Sequence, residues 1–179
     1  MARTRKASVA QRPLRPRVVF VAKFCAALIV FYAIVALNPV NDFVIVPFTA
    51  IVARCAAAIL GTLESGIQVT GTVIRSPRFA LDVENGCNGI EAAILLAAAI
   101  LAFPSTLRSR LIGLAVTGVA IELLNLVRLG SLFWLGEYHR PIFDFFHVAV
   151  WQSLVILAAI AMFIFWSLRF AERPVAASR

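Results

Sequence analysis

The 179-residue chain predicts an all-α integral membrane bundle: about four transmembrane helices, an interfacial helix and a small extracytoplasmic β-hairpin. Three observations predict it. Hydrophobic residues make up 61% of the chain and its mean hydropathy is +0.91, which excludes an ordinary soluble domain. Long apolar runs recur along a length that suits one compact bundle, not two domains. The net charge of +8 comes from basic residues gathered at the two ends and in one loop. That placement is a topology signal and argues against nucleic acid as a partner.

Residues 1–17 hold Arg3, Arg5, Lys6, Arg12, Arg15 and Arg17 with Pro13 and Pro16, and are expected to form a disordered cytoplasmic tail. The first span is expected at about 18–37. It is too long for a signal-peptide core and lacks a clean cleavage site, and Lys23 near its inner end can snorkel. Residues 43–60 are helical in period but interrupted by Pro47 and Arg54, so they either span or lie at the outer interface. Charge decides between these. With spans at about 18–37, 88–103, 111–135 and 147–168, the inner segments hold seven basic residues through Lys23. They also hold Arg108 and Arg110 in the 104–110 loop, and Arg169, Arg173 and Arg179 in the tail 169–179. A fifth span would move that loop and that tail outside, against the positive-inside rule. The expectation is therefore an interfacial 43–60, a membrane domain over 18–168 and both termini in the cytoplasm.

Residues 66–84 alternate apolar and polar on both sides of Ser76-Pro77, which reads as a β-hairpin on the outer side. It serves either as a structural cap or as a strand edge for an extended peptide. The 88–103 span ends at Phe103-Pro104. The 111–135 span contains Glu122, Asn125 and Arg128, and charged residues inside a span are costly and usually functional. Arg128 lies about seven residues, roughly 10 Å, from the outer end of that span. The plain alternatives are interhelical hydrogen bonding for Glu122 and Asn125, and an ion pair with Glu122 or Glu91 for Arg128. The last span opens with His147, and Asp144, three residues earlier, is placed to orient its imidazole if the helix has already begun. His139, in the loop, has no evident anchor.

The chemistry centres on Cys87, at the junction of a polar turn and an apolar run. Asn88 followed by Glu91 resembles a capping box, which would set Cys87 just before the first helical turn. Amide dipoles there would favour the thiolate. Cys25 and Cys55 lie in apolar runs and read as small packing residues, and three cysteines imply no disulfide framework. The expected topology brings Cys87, Arg128 and His147 to the outer lip of one bundle. A thiol, an imidazole and a cation are the parts of thiol acyl transfer: nucleophile, proton carrier and oxyanion partner. For His147 alone the plain reading is an interfacial polar residue. No CxxC, HExxH, GxSxG or glycine-rich phosphate loop is present, and the ligand count for a metal is lacking, so neither metal nor cofactor is expected. The competing class is a non-enzymatic membrane assembly or transport subunit whose polar residues glue helices together.

The stretches NGCNGIEA (85–92), NLVRLGSLFWLG (125–136) and FFHVAVWQ (145–152) together resemble the exosortase/archaeosortase family, and within it the compact exosortase H type. The similarity covers roughly residues 18–168. It implies a membrane cysteine transpeptidase or protease whose Cys, Arg and His correspond to Cys87, Arg128 and His147. Its implied substrates are exported proteins with a C-terminal sorting tail of short motif, membrane helix and basic cluster. They would be cleaved at the outer face of the inner membrane, with the site facing the periplasm. Asn88, Glu91, Asn125 and Asp144 are the candidate supporting residues. The chain departs from many members in carrying Asn88 where they carry Ser, and in having about four spans where about eight are usual.

Overall fold

The computed structural model describes residues 15–171, so the expectations for the tail 1–14 and for 172–179 lie outside the described residues. The elements in order are α1 (Arg15–Val35), α2 (Asn38–Val40), a π-helical turn at Asn41–Ile45 and α3 (Val46–Leu63). Strands β1 (Gln68–Thr70), β2 (Val73–Arg75) and β3 (Ala80–Asp82) follow. Then come α4 (Ile90–Ala102), α5 (Leu107–Tyr138), α6 (Arg140–Phe145), a second π-helical stretch at Phe146–Trp151 and α7 (Gln152–Arg169).

The bundle is built around α4. Its sequence is nearly all Ala, Ile and Leu, and Ala92, Ile94, Leu96, Ala98, Ala99, Ile100 and Ala102 are buried. Small residues let neighbouring backbones approach closely, and α4 packs against α1, α5 and α7. At one end of this layer Trp166 Nε1 donates to Ser109 O at 3.1 Å, and Ser109 Oγ donates to Phe170 O at 2.6 Å. Gly113 makes room for that indole, because a Cβ there would overlap it.

At the opposite end a second core forms. Ile74 and Val83 of the sheet region pack against Val52, Ala53, Ala56 and Ala57 of α3, and against Leu129 and Phe133 of α5. The sheet is a three-stranded antiparallel meander, β1-β2-β3, with Val69 opposite Ile74 and Ile74 opposite Leu81. The expected hairpin is thus one strand richer. Gly71, at φ +61°, supplies an additional turn between β1 and β2.

Four helical segments are long and apolar enough to cross a membrane: Pro16–Val35, Asn38–Leu63, Leu107–Tyr138 and Arg140–Arg169. The segment containing 43–60 is therefore longer than its sequence pattern suggests, whereas α4 has only 13 helical residues. Pro47 does not interrupt the helix as expected. The π turn just before it closes Val46 N–H onto Asn41 O, so the hydrogen-bond register has already shifted where the proline's missing donor would be felt. Similarly, the last helical segment begins at Arg140 and not at His147.

Candidate active site

Three elements deliver three side chains to one point. Cys87 sits in the turn before α4, with its amide donating to Glu84 O at 2.9 Å. His147 is in the π-helical stretch before α7, and its Nε2 lies 2.9 Å from Cys87 Sγ. Such stretches recur at functional sites because one extra residue per turn re-aims a side chain. The ring of Phe143, one turn earlier, packs on the imidazole at 5.7 Å between centroids. Arg128 projects from α5. Its Nη1 donates to Gly86 O at 3.1 Å and its Nη2 approaches Cys87 Sγ at 3.6 Å.

Arg128 is only 3% exposed, and the ion pairs among the described residues, Arg78 with Glu64 and with Glu137, do not include it. The plain expectation of a pair with Glu122 or Glu91 is not met. Among the described residues its buried Nε has no hydrogen-bond partner. Removing a guanidinium from water without a carboxylate is expensive, so the arrangement favours an anion that arrives or develops at this point. Arg128 lies ten residues, about 15 Å, from the end of α5, which is longer than expected.

The supporting residues divide. Asn88 is fully buried beside Cys87, but the capping box does not form. The helix starts one residue later, Gly89 is its N-cap at φ +85°, and Asn88 Oδ1 accepts from Ile90 N at 3.1 Å. Glu91 is half-buried and lines a cavity of about 340 Å³ together with Tyr32, Gly86, Arg128 and Gln152. Asn125 is buried, and among the described residues its Nδ2 and Glu122 Oε2 have no geometric hydrogen-bond partner, while the Glu122 carboxylate packs against Gly89 of α4. Asp144 is exposed and no hydrogen bond joins it to His147. The helix has begun by residue 140, as that expectation required, yet the imidazole-orienting hydrogen bond is not made and the carboxylate is left to solvent.

Electrostatics correct another expectation. Burial pushes the Cys87 thiol up from its ordinary value, Arg128 pulls it down, and Glu91 and Glu84 add to the rise. The expected thiolate at a helix N-terminus is outweighed by desolvation. Burial thus works against the thiolate, and His147 Nε2 lies within reach of the thiol proton. Cys25 and Cys55 are exposed on α1 and α3 and do not pack in the interior as expected. His139 does have an anchor, the ring of Trp134 at 5.0 Å.

Sequence reasoning overlooked Thr49 and Asn85, which hydrogen-bond Asn88. The signals were a hydroxyl within the apolar first half of α3 and an asparagine two residues before Cys87. Among the described residues no group of three or more His, Cys, Asp or Glu is set to hold a metal. Compared with known proteins, residues 4–166 match the family model described as transmembrane exosortase. No curated protein and no solved structure matches the chain.

Proposed function

The chain belongs to the transmembrane exosortase family, hence to membrane transpeptidases or proteases that act on exported proteins, and on that premise we propose that Cys87, His147 and Arg128 carry out its acyl transfer. The observation that carries the reading is the 2.9 Å contact between Cys87 Sγ and His147 Nε2, beside a buried arginine with no carboxylate partner.

The steps follow from that geometry. Cys87 Sγ attacks the scissile carbonyl carbon as His147 Nε2 takes the thiol proton. Negative charge gathers on the carbonyl oxygen, and Arg128, whose Nε has no other partner, stabilises it. The C–N bond breaks as His147 returns the proton to the leaving amine, which leaves a thioester on Cys87. An amine acceptor or water, deprotonated by His147, then resolves the thioester and regenerates the thiol.

The substrate in this reading is an exported protein with a C-terminal sorting tail containing a membrane helix. The cavity beside Arg128 shares Leu95, Ile156 and Ala159 with an apolar groove that continues past Phe24 to Phe20 and Phe163. That continuity supports a substrate whose apolar segment lies along the seam between α1 and α7, with its scissile bond at Cys87. The site faces the periplasm from the inner membrane and both termini are cytoplasmic.

The test is co-expression with a tailed exported protein encoded in the same genome, followed by intact mass measurement of that protein. Wild type is expected to remove the tail and Cys87→Ala to leave it whole. An added mass on the product means transfer, and a product ending at the cleaved bond means hydrolysis. Tail removal by Cys87→Ala overturns the assignment of the nucleophile.

A further inference from the structure

The turn that carries Cys87 is held by a line of side-chain hydrogen bonds reaching into α3, a helix that contributes none of the three reacting groups. Asn88, the next residue, is 1% exposed. Its Nδ2 donates to Thr49 Oγ1 at 3.0 Å and to Asn85 Oδ1 at 3.2 Å, while its Oδ1 accepts from Ile90 N at 3.1 Å. Thr49 is itself buried, and its hydroxyl donates to Ile45 O, at the end of the π turn, at 2.8 Å. Asn85 Nδ2 donates in turn to Asn41 Oδ1 at 3.3 Å.

The polarity of this line is forced. A hydroxyl has one proton, and that of Thr49 is committed to Ile45 O, so its oxygen can only accept from Asn88. That fixes which way the Asn88 amide faces and leaves Oδ1 for Ile90, the first residue of α4. On the other side of Cys87, Arg128 Nη1 holds Gly86 O. The residues before and after the thiol are thus pinned from two different helices. A reacting pair tolerates little misplacement, since about 1 Å can cost on the order of 100-fold in rate.

We propose that Thr49 and Asn88 are positioning residues for Cys87, and that α3 sets the Sγ–Nε2 contact through them. This rests on the reading of Cys87 and His147 as nucleophile and base.

The test uses the full chain in membranes, with Cys25→Ala and Cys55→Ala so that Cys87 is the only thiol. The rate of Cys87 alkylation by a membrane-impermeant maleimide is measured against pH, alongside the thermal unfolding midpoint. Removing the imidazole in His147→Ala is expected to displace the profile. Thr49→Val keeps the size and removes the hydroxyl, and its profile is expected to move most of the way to that of His147→Ala. Thr49→Ser, which restores the hydroxyl, is expected to keep the wild-type profile. A displaced His147→Ala profile with an undisplaced Thr49→Val profile overturns this inference alone. A wild-type profile in His147→Ala overturns the acid–base pair and this inference with it. If Thr49→Val does not accumulate, Thr49→Ala removes the same hydroxyl with less bulk and is read in the same way.

Discussion

At the residue scale, burial and the Arg128 charge act on the Cys87 thiol in opposite directions. Burial raises the Cys87 thiol above its ordinary value and Arg128 opposes the rise. A raised thiol holds less thiolate at neutral pH than an exposed one, so its alkylation profile is displaced upward. Arg128→Gln removes the opposing cation and should displace that profile further upward, whereas Glu91→Gln should move it down. A profile for Arg128→Gln lying below wild type would contradict the assigned cause. Arg128→Lys tests geometry and not charge, since an ammonium cannot hold Gly86 O, approach Sγ and leave a further donor free at the same time. Loss of an oxyanion donor costs about 10²–10³ in rate, and a comparable loss of tail removal is expected for this variant, read by intact mass. Wild-type processing by Arg128→Lys would reduce the residue to an electrostatic or structural role. That Cys87, Arg128 and His147 would come together was legible in the sequence, because reactive and charged groups stand out against apolar runs. The state of the thiol was not legible, because a dipole can be read from a helix start but desolvation needs the packing.

At the element scale, local pattern predicted what local forces determine. The strand alternation of 66–84 and the apolar runs emerged as expected in kind, since periods of 2 and 3.6 are fixed by the backbone. Helix starts were less legible. The box at Asn88 and Glu91 looked complete, yet Asn88 is taken up by Thr49 and Asn85, and the Thr49 contact spans 39 residues, beyond any pattern a local window could read. The same limit applies to the π stretch at Phe146–Trp151, which reads in sequence as ordinary helix. Gly89 is where element geometry and site meet. It sits at φ +85° as the N-cap of α4, and a Cβ there would overlap the Glu122 carboxylate on α5. Gly89→Ala should therefore cost about 1–3 kcal/mol for the left-handed backbone alone. In a thermal melt this amounts to roughly 2–4 °C per kcal/mol for a chain of this size. Gly61, inside α3, has no neighbouring atom within 4 Å of the place a methyl group would take, and Gly61→Ala should be neutral or stabilising by up to about 1 kcal/mol. Equal midpoints for the two variants would refute the assignment of Gly89 as a strained junction.

At the scale of the whole molecule, packing bears on which helices cross the bilayer more than composition does. By length and hydropathy Asn38–Leu63 qualifies as a span and α4 does not. Yet α3 packs against β1, β2 and α5, and its core partners on α5, Leu129 and Phe133, lie beyond Arg128 toward the Tyr138 end. The layer formed by α1, α4, α5 and α7 runs instead from Trp166 and Ser109 at one end to Gly86, Arg128 and His147 at the other. The α1 helix alone, at 21 residues, is about 30 Å long, close to the thickness of a hydrocarbon core. A membrane filled by this layer leaves α3, the sheet and the end of α5 at or beyond one interface, the outer one in the orientation proposed above. The charges of that region then make sense: Arg78 is exposed, and it pairs with the partly exposed Glu64 and with the buried side chain of Glu137. Arg108 and Arg110, by contrast, adjoin the opposite end, beside the start of α5. We therefore expect an alkaline phosphatase fused at residue 70 to be active and one fused at residue 105 to be inactive. An inactive fusion at 70 with an active one at 105 would mean that the bundle is inverted, or that α3 and α4 both cross in a five-span arrangement. Either would also set Cys87 facing the cytoplasm, where an exported protein no longer presents its cleavage point. Inactivity at both would mean that α3 crosses with the others and that α4 does not form a barrier of its own.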